Sequence, residues 1–295
     1  MSWWKNLKGK VLFNEPLAPR TTYGIGGKAA FFIEPRDTQD LKTAVLALKK
    51  EGIRFFIIGA GSNLLIKDNA LEAAVISLSS PHFKKVFFLD EMVEAGAGVM
   101  LVSLIKSCAD KGLSGLEFLT GVPGTLGGAL CMNAGQAKEG YSISDVVESV
   151  TVMDDKAAIK KMPRSKIKFS YRHSSLSRYI ILGVGLRLQG QDKEKIKEEI
   201  RKYAVYRKGS QGAAARSAGC VFKNPEGDSA GRLIDACGLK GRRAGGAVIS
   251  TEHANFILNK GRASARDVLT LMRLVKKEVK DKFGIILREE VKIWS

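Results

Sequence analysis

The most constraining feature of the sequence is a glycine-rich stretch at residues 112–135, which reads GLSGLEFLTGVPGTLGGALCMNAG. Glycine loses more conformational freedom on folding than other residues, so this density requires a physical reason. One explanation is a loop whose unhindered backbone amides approach an anionic ligand, aided by the N-terminus of a helix. The alternative is a series of tight turns between short elements, and glycine content alone favours neither.

The composition is that of an ordinary globular protein, with 45% hydrophobic and 26% charged residues in a chain of 295. That length suggests two domains, each able to bury a core. No apolar run approaches the roughly 20 residues that span a bilayer, and the N-terminus lacks the apolar segment of a secretory signal. The four cysteines show neither a CxxC pair nor zinc-ligand spacing. We therefore expect reduced thiols, no bound metal and a cytoplasmic location.

The net charge is strongly positive, +18 at pH 7, which favours anionic ligands. Nucleic acids, acidic membranes and phosphorylated small molecules all carry negative charge. The basic residues are scattered along the chain, and no zinc finger or RNP-like aromatic motif accompanies them. We expect phosphorylated small-molecule ligands and no nucleic-acid or membrane partner. A basic nucleic-acid binder remains the alternative from another functional class.

Apolar periodicity predicts more strands than helices. Short strands are expected at 53–58, 74–78, 86–89, 92–95, 146–153 and 179–188, and helices at 37–50, 99–111, 192–202, 230–236 and 264–282. The helix at 99–111 would bury a face formed by Val102, Ile105 and Ala109. Because strands and helices do not alternate one for one, the predicted fold class is α+β rather than a doubly wound sheet.

A short apolar strand leads directly into the turn GAGSNLL at 59–65. This turn does not match the dinucleotide fingerprint GxGxxG, because Leu64 occupies the position of the third glycine. A GxxxxGK[ST] phosphate loop is absent from the sequence. Ser62 and Asn63 add hydrogen-bond donors of the kind that phosphate-binding turns use, but local turn chemistry explains both residues equally well.

The order of several motifs is more specific than any one of them. GAGSNLL and the glycine-rich stretch are followed by FSYR at 169–172, SAGCVFKNP at 217–225, HANFI at 253–257 and REEV at 288–291. This set resembles the UDP-N-acetylenolpyruvoylglucosamine reductase family over nearly the whole chain. The chain lacks the long insertions of one family branch, so it is similar to the shorter type.

The resemblance implies an FAD-binding region of the vanillyl-alcohol-oxidase (PCMH) type at 1–190, in two α+β lobes of about 1–80 and 81–190. A substrate-binding α+β domain would follow at 191–295. The resemblance also implies non-covalent FAD, NADPH as reductant and the enolpyruvyl ether of UDP-N-acetylglucosamine as substrate. By the same resemblance, the diphosphate and ribityl chain of FAD contact backbone-rich turns that contain Gly59, Ala60, Gly61, Ser62, Asn63, Leu64, Val122, Pro123, Gly124, Thr125, Gly127, Gly128, Asn133 and Gly135.

Reduction of that substrate requires a cation for its carboxylate, a proton donor for the adjacent carbon and alignment at the flavin. Arg172 matches the family arginine, and a guanidinium can hold a carboxylate bidentately. Glu290 matches the family's late glutamate, although Arg288 replaces a glutamate of the usual motif and Glu289 is adjacent. Cys220 stands where the family usually has a serine proton donor. We predict that the Cys220 thiol is the general acid, with a water beside a small buried thiol as the alternative.

Five further residues are predicted to contact the UDP-sugar, three of them with a structural alternative. Lys208 would bind the diphosphate, unless its side chain is simply solvated, and Asn224 would contact the same ligand. Tyr171 is a substrate contact or a core aromatic residue, with the core slightly favoured. His253 and Asn255 face the substrate, although for His253 a structural role is equally well supported.

An alternative within the same fold is an oxidase that passes electrons to oxygen. Such an enzyme would need an oxygen pocket or a histidine for covalent flavin attachment, and the glycine-rich segments contain no histidine. We expect a monomer or a weak homodimer. The sequence does not determine the oligomeric state, the conformation of the loop at 209–216 or the preference for NADPH over NADH.

Overall fold

The computed structural model describes residues 3–136, 140–211 and 216–295. Its α-helices are α1 (Thr38–Lys50), α2 (Leu101–Asp110), α3 (Leu126–Cys131), α4 (Lys193–Gln211), α5 (Ala230–Ala236) and α6 (Ala265–Phe283). Its strands are β1 (Lys10–Pro16), β2 (Lys28–Glu34), β3 (Phe55–Ile58), β4 (Leu64–Ile66), β5 (Leu71–Ser77), β6 (Val86–Leu89), β7 (Met92–Gly96), β8 (Leu113–Ser114), β9 (Gly135–Gln136), β10 (Tyr141–Ser142), β11 (Val147–Met153), β12 (Ile159–Pro163), β13 (Phe169–Ser170), β14 (His173–Ser174), β15 (Ile180–Arg187), β16 (Gln189–Gly190), β17 (Arg243–Ala244), β18 (Ala247–Ile249), β19 (Ile257–Asn259) and β20 (Lys292–Trp294). This mixture of segregated strands and helices agrees with the predicted α+β class.

The chain forms two compact units, each assembled from three segments. Unit 1 comprises Met1–Phe13, Phe31–Gly59 and Ala73–Tyr206, and unit 2 comprises Asn14–Ala30, Ala60–Glu72 and Arg207–Ser295. Because two early segments belong to the unit that contains the C-terminus, no single cut in the chain separates the units. The functional division into 1–190 and 191–295 stays a prediction.

The core of unit 1 is covered by helices whose apolar faces follow from their sequence. A five-stranded antiparallel sheet has the order β12-β11-β15-β7-β6, and β3 pairs in parallel with β5 in a sheet of order β1-β2-β5-β3. Helix α2 buries Leu101, Leu104, Ile105 and Cys108. Val102 is 69% exposed, so its predicted place on the buried face was wrong. Apolar residues also recur at helical spacing starting from Leu101. The helix face that includes Leu101 carries more apolar residues than the face that includes Val102, and it is the one that is buried.

The core of unit 2 packs around α6. This helix begins with a capping box between Ser264 and Asp267 and ends at Gly284, which has a left-handed φ of 71°. The carboxylate of Asp68 also accepts hydrogen bonds from the amides of Ala265 (2.8 Å) and Arg266 (3.2 Å). Strands β17-β18-β19 form an antiparallel sheet, and β20 pairs in parallel with β4. The apolar face of α6 is buried, with Val268, Leu271, Val275 and Val279 all in the core.

Candidate functional site

The glycine-rich stretch in unit 1 leads into the short helix α3. Thr125 caps this helix, and its hydroxyl accepts a hydrogen bond from the Gly128 amide at 3.3 Å. The amides of Leu126 and Gly127 donate to the carbonyls of Val99 (2.8 Å) and Ala97 (2.9 Å). These three amides are therefore engaged by the protein itself. The expected contribution of a helix N-terminus to anion binding was wrong for them, because neighbouring backbone takes the donors first.

Gly59 lies at the end of β3, against the same threonine. A Cβ atom at Gly59 would lie 2.5 Å from the Thr125 hydroxyl oxygen, so this position has no room for a side chain. Two of the predicted FAD-binding turns of unit 1 thus pack against each other, with no Cβ between them. Val122, Pro123 and Gly124 precede α3 in the second of these turns.

Two buried polar atoms beside these turns have no hydrogen-bond partner among the described residues. They are Oε1 of Glu117 and the hydroxyl oxygen of Thr120. Glu117 is only 7% exposed, and its other carboxylate oxygen accepts from the Gly115 amide at 2.8 Å. Sequence reasoning missed this residue, although an acid within the apolar run LEFL was a usable signal. Both atoms can accept hydrogen bonds from a hydroxyl-rich ligand, so the chemistry of this region fits the ribityl and ribose groups of FAD.

Burial excludes one cysteine of this region from acid–base chemistry. Desolvation, followed by the negative charge of Glu117, raises the pKa of the Cys108 thiol to about 12. Cys108 therefore stays protonated at physiological pH, as expected of a structural thiol.

Arg172 lies in the two-residue turn between β13 and β14. Its φ of 53° is left-handed, which is uncommon for a residue other than glycine, and its Nη1 donates to the carbonyl of Gly135 at 3.3 Å. The guanidinium carbon lies 5.6 Å from the centre of the Tyr171 ring. Tyr171 is 44% exposed, so the preference for a core position was wrong. The turn thus leaves the Tyr171 side chain exposed and that of Arg172 half-buried.

Asn133 ties the end of the glycine-rich stretch to the Arg172 turn. Its Nδ2 donates to the Ser170 carbonyl, and its Oδ1 accepts from the Ser144 amide, both at 3.3 Å. A Cβ atom at Gly135 would lie 2.1 Å from the Tyr141 carbonyl oxygen, so the glycine permits the pairing of β9 with β10. In unit 1 the structure thus brings together the MNAG motif and the predicted carboxylate-binding arginine.

In unit 2 the Cys220 segment is paired on both sides. Cys220 forms an antiparallel bridge with Phe256, and the Val221 amide donates to the Asn255 carbonyl at 2.9 Å. On the other side the Glu290 amide donates to the Val221 carbonyl at 2.8 Å. The predicted general acid and the predicted glutamate therefore lie on adjacent backbone segments.

The side chain of Asn255 serves the protein backbone. It is 2% exposed, its Oδ1 accepts from the Phe222 amide at 2.9 Å, and its Nδ2 donates to the Phe222 carbonyl at 2.8 Å. Its predicted contact with the substrate was wrong, because burial and these two bonds commit the amide group to Phe222.

Of the two neighbouring glutamates, Glu289 is engaged by a lysine. Its Oε1 lies 2.7 Å from Nζ of Lys276. Burial by itself would raise the pKa of Glu289, but the hydrogen bond and charge of Lys276 outweigh it and hold that pKa below its usual value. The Glu289 carboxylate is thus engaged by Lys276. Glu290 remains the candidate for the predicted catalytic glutamate.

The turn GAGSNLL joins the same region of unit 2. Asn63 Nδ2 donates to the Glu290 carbonyl at 3.2 Å, and the Asn63 carbonyl accepts from the Lys292 amide at 2.9 Å. Gly61 has a left-handed φ of 65°, and a Cβ there would lie 2.2 Å from the Arg20 carbonyl oxygen. The absence of a side chain at Gly61 therefore allows this turn to pack closely against the backbone of Arg20. Ala60 and Ser62 lie in the same turn, and Leu64 begins β4.

The remaining predicted substrate contacts occupy different parts of the chain. Asn224 is exposed, and its Oδ1 accepts from the Ala230 amide at the start of α5 at 3.1 Å. The ring of His253 packs 4.6 Å from that of Phe256, and burial lowers the pKa of His253. Its Nδ1 is buried without a partner in the described chain. Lys208 belongs to α4, and its side chain lies outside the described residues.

Comparisons with known proteins cover almost the whole chain. Residues 211–294 match the family model for the UDP-N-acetylenolpyruvoylglucosamine reductase C-terminal domain, and residues 29–162 match that for an FAD binding domain. The UDP-N-acetylenolpyruvoylglucosamine reductase of Desulforamulus reducens is 41% identical over 97% of this chain and 94% of its own length. The crystal structure of the corresponding reductase from Thermus caldophilus aligns with a TM-score of 0.83 at 37% identity, covering 98% of this chain and all of the other.

A more distant structure shares the fold alone. A solvent-stable cholesterol oxidase aligns with a TM-score of 0.51 at 16% identity, over 61% of this chain and 38% of its own. Together with the FAD-binding match, this likeness confirms the predicted fold class. In the described residues, no helix combines the length and the apolarity needed to cross a bilayer. The chain belongs to the UDP-N-acetylenolpyruvoylglucosamine reductase family and is an FAD-containing oxidoreductase with NADPH as its reductant.

Proposed function

We propose that the chain reduces the enolpyruvyl ether of UDP-N-acetylglucosamine to UDP-N-acetylmuramate for peptidoglycan synthesis, with Cys220 as the proton donor. The names and the nearly full-length alignment of its relatives support the substrate assignment. When bound, FAD that NADPH has reduced supplies the hydride that adds to the terminal enolpyruvyl carbon. The protein's own residues must hold the cofactor, bind the substrate carboxylate and deliver the proton.

In unit 1, the turns around Gly59 and Thr125 would hold FAD without a covalent bond. The missing Cβ at Gly59 keeps the two turns close, and the acceptors on Glu117 and Thr120 would bind cofactor hydroxyls. Asn133 would act by holding its loop in place, because its side chain bonds to protein backbone. The predicted contacts in the 60–64 turn of unit 2 are part of the same proposal.

Arg172 would bind the substrate carboxylate. As the hydride adds to the terminal carbon, the electron pair of the double bond moves toward the carboxylate and forms an enediolate. A guanidinium keeps its positive charge throughout and can match both oxygens of the anion. The bond of Arg172 Nη1 to the Gly135 carbonyl orients the side chain in advance, which lowers the cost of ordering it on binding.

Cys220 would protonate the carbon next to the carboxylate. The observation that carries this assignment is the pairing of its backbone segment with that of Glu290, through the 2.8 Å bond from the Glu290 amide to the Val221 carbonyl. A thiol is mostly protonated at neutral pH, so its S–H bond breaks as the new C–H bond forms, and solvent later returns a proton to the thiolate. Glu290 would orient this transfer.

The test separates the two half-reactions of the purified holoenzyme. Cys220→Ala should leave flavin reduction by NADPH unchanged and slow reoxidation by the enolpyruvyl substrate by about 10²–10⁴-fold, the usual contribution of a general acid. Cys220→Ser should retain substantial activity because a hydroxyl can occupy the same position. Cys237→Ala is the matched control, since Cys237 is a half-buried free thiol in the same unit. Rapid reoxidation in Cys220→Ala would refute the assignment.

We also propose that the enzyme works in the cytoplasm as a monomer or weak homodimer. None of the four cysteines, all of them among the described residues, forms a disulfide bond, which is consistent with a reducing compartment. Light scattering coupled to size-exclusion chromatography would test the oligomeric state, and a stable tetramer or larger assembly would contradict the proposal.

A further inference from the structure

The segment that contains Cys220 is paired further along the chain on one side than on the other. On the Glu290 side, the Lys223 amide donates to the Arg288 carbonyl at 2.8 Å and Phe222 bridges Glu289, so pairing continues beyond Val221. On the other side, among the residues that the structure describes, the last backbone bond is that of the Val221 amide to the Asn255 carbonyl. There the Asn255 side chain takes the place of the next partner and bonds to both backbone groups of Phe222.

A carboxamide is chemically suited to this position. It offers one acceptor and a donor in a single plane, as a peptide group does, and Asn255 aims them at the amide and carbonyl of one residue. Phe222 and Asn255 are both buried, so water cannot replace these bonds. A buried group left without a partner is strongly destabilising. Since Phe222 is two residues from Cys220, the amide fixes the register of the backbone segment at the thiol.

We infer that Asn255 is a positioning residue for proton transfer, acting through the backbone of Phe222 and Val221 on Cys220. The inference rests on the proposed role of Cys220 as general acid. Proton transfer depends steeply on geometry, and a misplacement of about 1 Å can cost about 10²-fold in rate. Loss of the Asn255 amide should therefore impair the half-reaction that needs the proton and spare the half-reaction that does not.

The control must be another buried asparagine with similar bonds elsewhere in unit 2. Asn259 meets this requirement, because its Nδ2 donates to the Tyr23 carbonyl at 2.9 Å and its Oδ1 accepts from the amides of Gly261 (3.0 Å) and Ala263 (3.1 Å). Asn259 is 5% exposed, and none of these three bonds involves the backbone segment that contains Cys220. Asn259→Ala should lose about as much stability as Asn255→Ala. It should leave the rate of flavin reoxidation by the substrate unchanged.

The experiment uses stopped-flow absorbance of the flavin in the holoenzyme. In Asn255→Ala we expect substrate-driven reoxidation to slow by about 10–100-fold, with flavin reduction by NADPH within about twofold of the parent protein. Asn259→Ala should change both rates by less than about twofold at temperatures below its unfolding transition. Equal losses in the two half-reactions of Asn255→Ala, or a loss matched by Asn259→Ala, would overturn the inference.

A conservative variant keeps the test meaningful if Asn255→Ala folds poorly. Asn255→Asp preserves the shape and the acceptor for the Phe222 amide, but its ionised form cannot donate to the Phe222 carbonyl. A protonated carboxyl can donate again, so reoxidation relative to the parent protein should improve as the pH is lowered. An Asn255→Asp enzyme with parent-like reoxidation at every pH would contradict a need for the donor.

Two further measurements distinguish failure of this inference from failure of the proposed function. If Asn255 acts through Cys220, adding Asn255→Ala to Cys220→Ala should slow reoxidation no further, whereas an independent role predicts multiplied losses. Hydrogen exchange of the Phe222 amide should accelerate in Asn255→Ala whether or not Cys220 is the acid. Accelerated exchange together with rapid turnover of Cys220→Ala would refute Cys220 as the proton donor, and with it the positioning role of Asn255, while the bonds of Asn255 to Phe222 would still be supported. Unchanged exchange would show that those bonds do not hold Phe222 in place, which would refute the inference and leave the proposed function untouched.

Discussion

Replacing Gly59 by alanine tests the contact on which the predicted FAD-binding turns of unit 1 depend. The added Cβ would lie 2.5 Å from the Thr125 hydroxyl oxygen, whereas ordinary contact begins at 3.4 Å, so one group must move by 3.4 − 2.5 = 0.9 Å. Overpacking of this kind costs about 1–3 kcal/mol. Gly59 does not have a left-handed φ, and reduced freedom of the unfolded chain returns about 0.4–1 kcal/mol. We expect a net loss of about 1–2 kcal/mol, or roughly 2–8 °C in Tm.

Gly128 provides the matched control because it faces the same oxygen atom. A Cβ there would lie 3.5 Å from the Thr125 hydroxyl oxygen, which is an ordinary contact, and Gly128 lies within helix α3. Alanine is favoured over glycine in helices by about 1 kcal/mol, so Gly128→Ala should be neutral or stabilising. The assay is urea unfolding of both variants, measured with and without saturating FAD.

A second-site change identifies the atom responsible. Thr125→Ala removes the hydroxyl and costs about 1 kcal/mol through loss of the helix cap, but it should make Gly59→Ala almost harmless in the double variant. Thr125→Val keeps a heavy atom in place of the oxygen and should not relieve the clash. The reasoning fails if Gly59→Ala is no less stable than Gly128→Ala, or if the Gly59 and Thr125 changes are simply additive.

Two further predictions concern carboxylates of unit 2. Glu290→Gln should slow flavin reoxidation by substrate. Glu289→Gln should lose only the exposed ion pair with Lys276, worth less than about 1 kcal/mol, and should keep the parent reoxidation rate. Equal reoxidation rates in the two variants would contradict the assignment of Glu290, rather than Glu289, to the site. The side-chain bonds of Arg232, aided by the Ser229 amide, lower the pKa of Asp228 from 3.8 to about 2, so stability from this group is present above pH 3.8 and lost as the pH falls toward 2. Asp228→Asn should flatten that part of the stability profile in urea titrations, and an unchanged slope between pH 5 and pH 2 would disprove the contribution.

Local features of the sequence predicted the elements that depend on local physics. Helix α5 has the predicted bounds, and the Ser229 side chain caps it. Helix α6 lies within one residue of the predicted 264–282 at each end, because its capping box and its buried face follow from spacings of three and four residues. The resemblance of ordered motifs predicted the family and the fold, which the comparisons confirm.

Features that depend on distant or weak contacts did not follow from the sequence. Helix α4 continues to Gln211, well beyond the expected end at 202, because its sequence is charged and offers little apolar periodicity to mark an end. The bonds of Asn255 to Phe222 and of Asn63 to Glu290 join residues 33 and 227 positions apart. An asparagine in a motif looks the same whether its amide meets a ligand or the backbone of a remote strand.

The placement of Cys220 explains how a thiol can stand where the family usually has a serine. The position of this segment is fixed by backbone groups of Val221 and Phe222, through bonds to Asn255 and Glu290. None of these bonds uses the side chain at position 220, so exchanging oxygen for sulfur leaves them intact. Under the proposed mechanism, the motifs on either side specify where the proton is delivered, and residue 220 is the acid that delivers it. On this reasoning Cys220→Ser should retain the fold and the half-reaction pattern of the parent enzyme, while Asn255→Ala should weaken a serine enzyme as much as a cysteine enzyme.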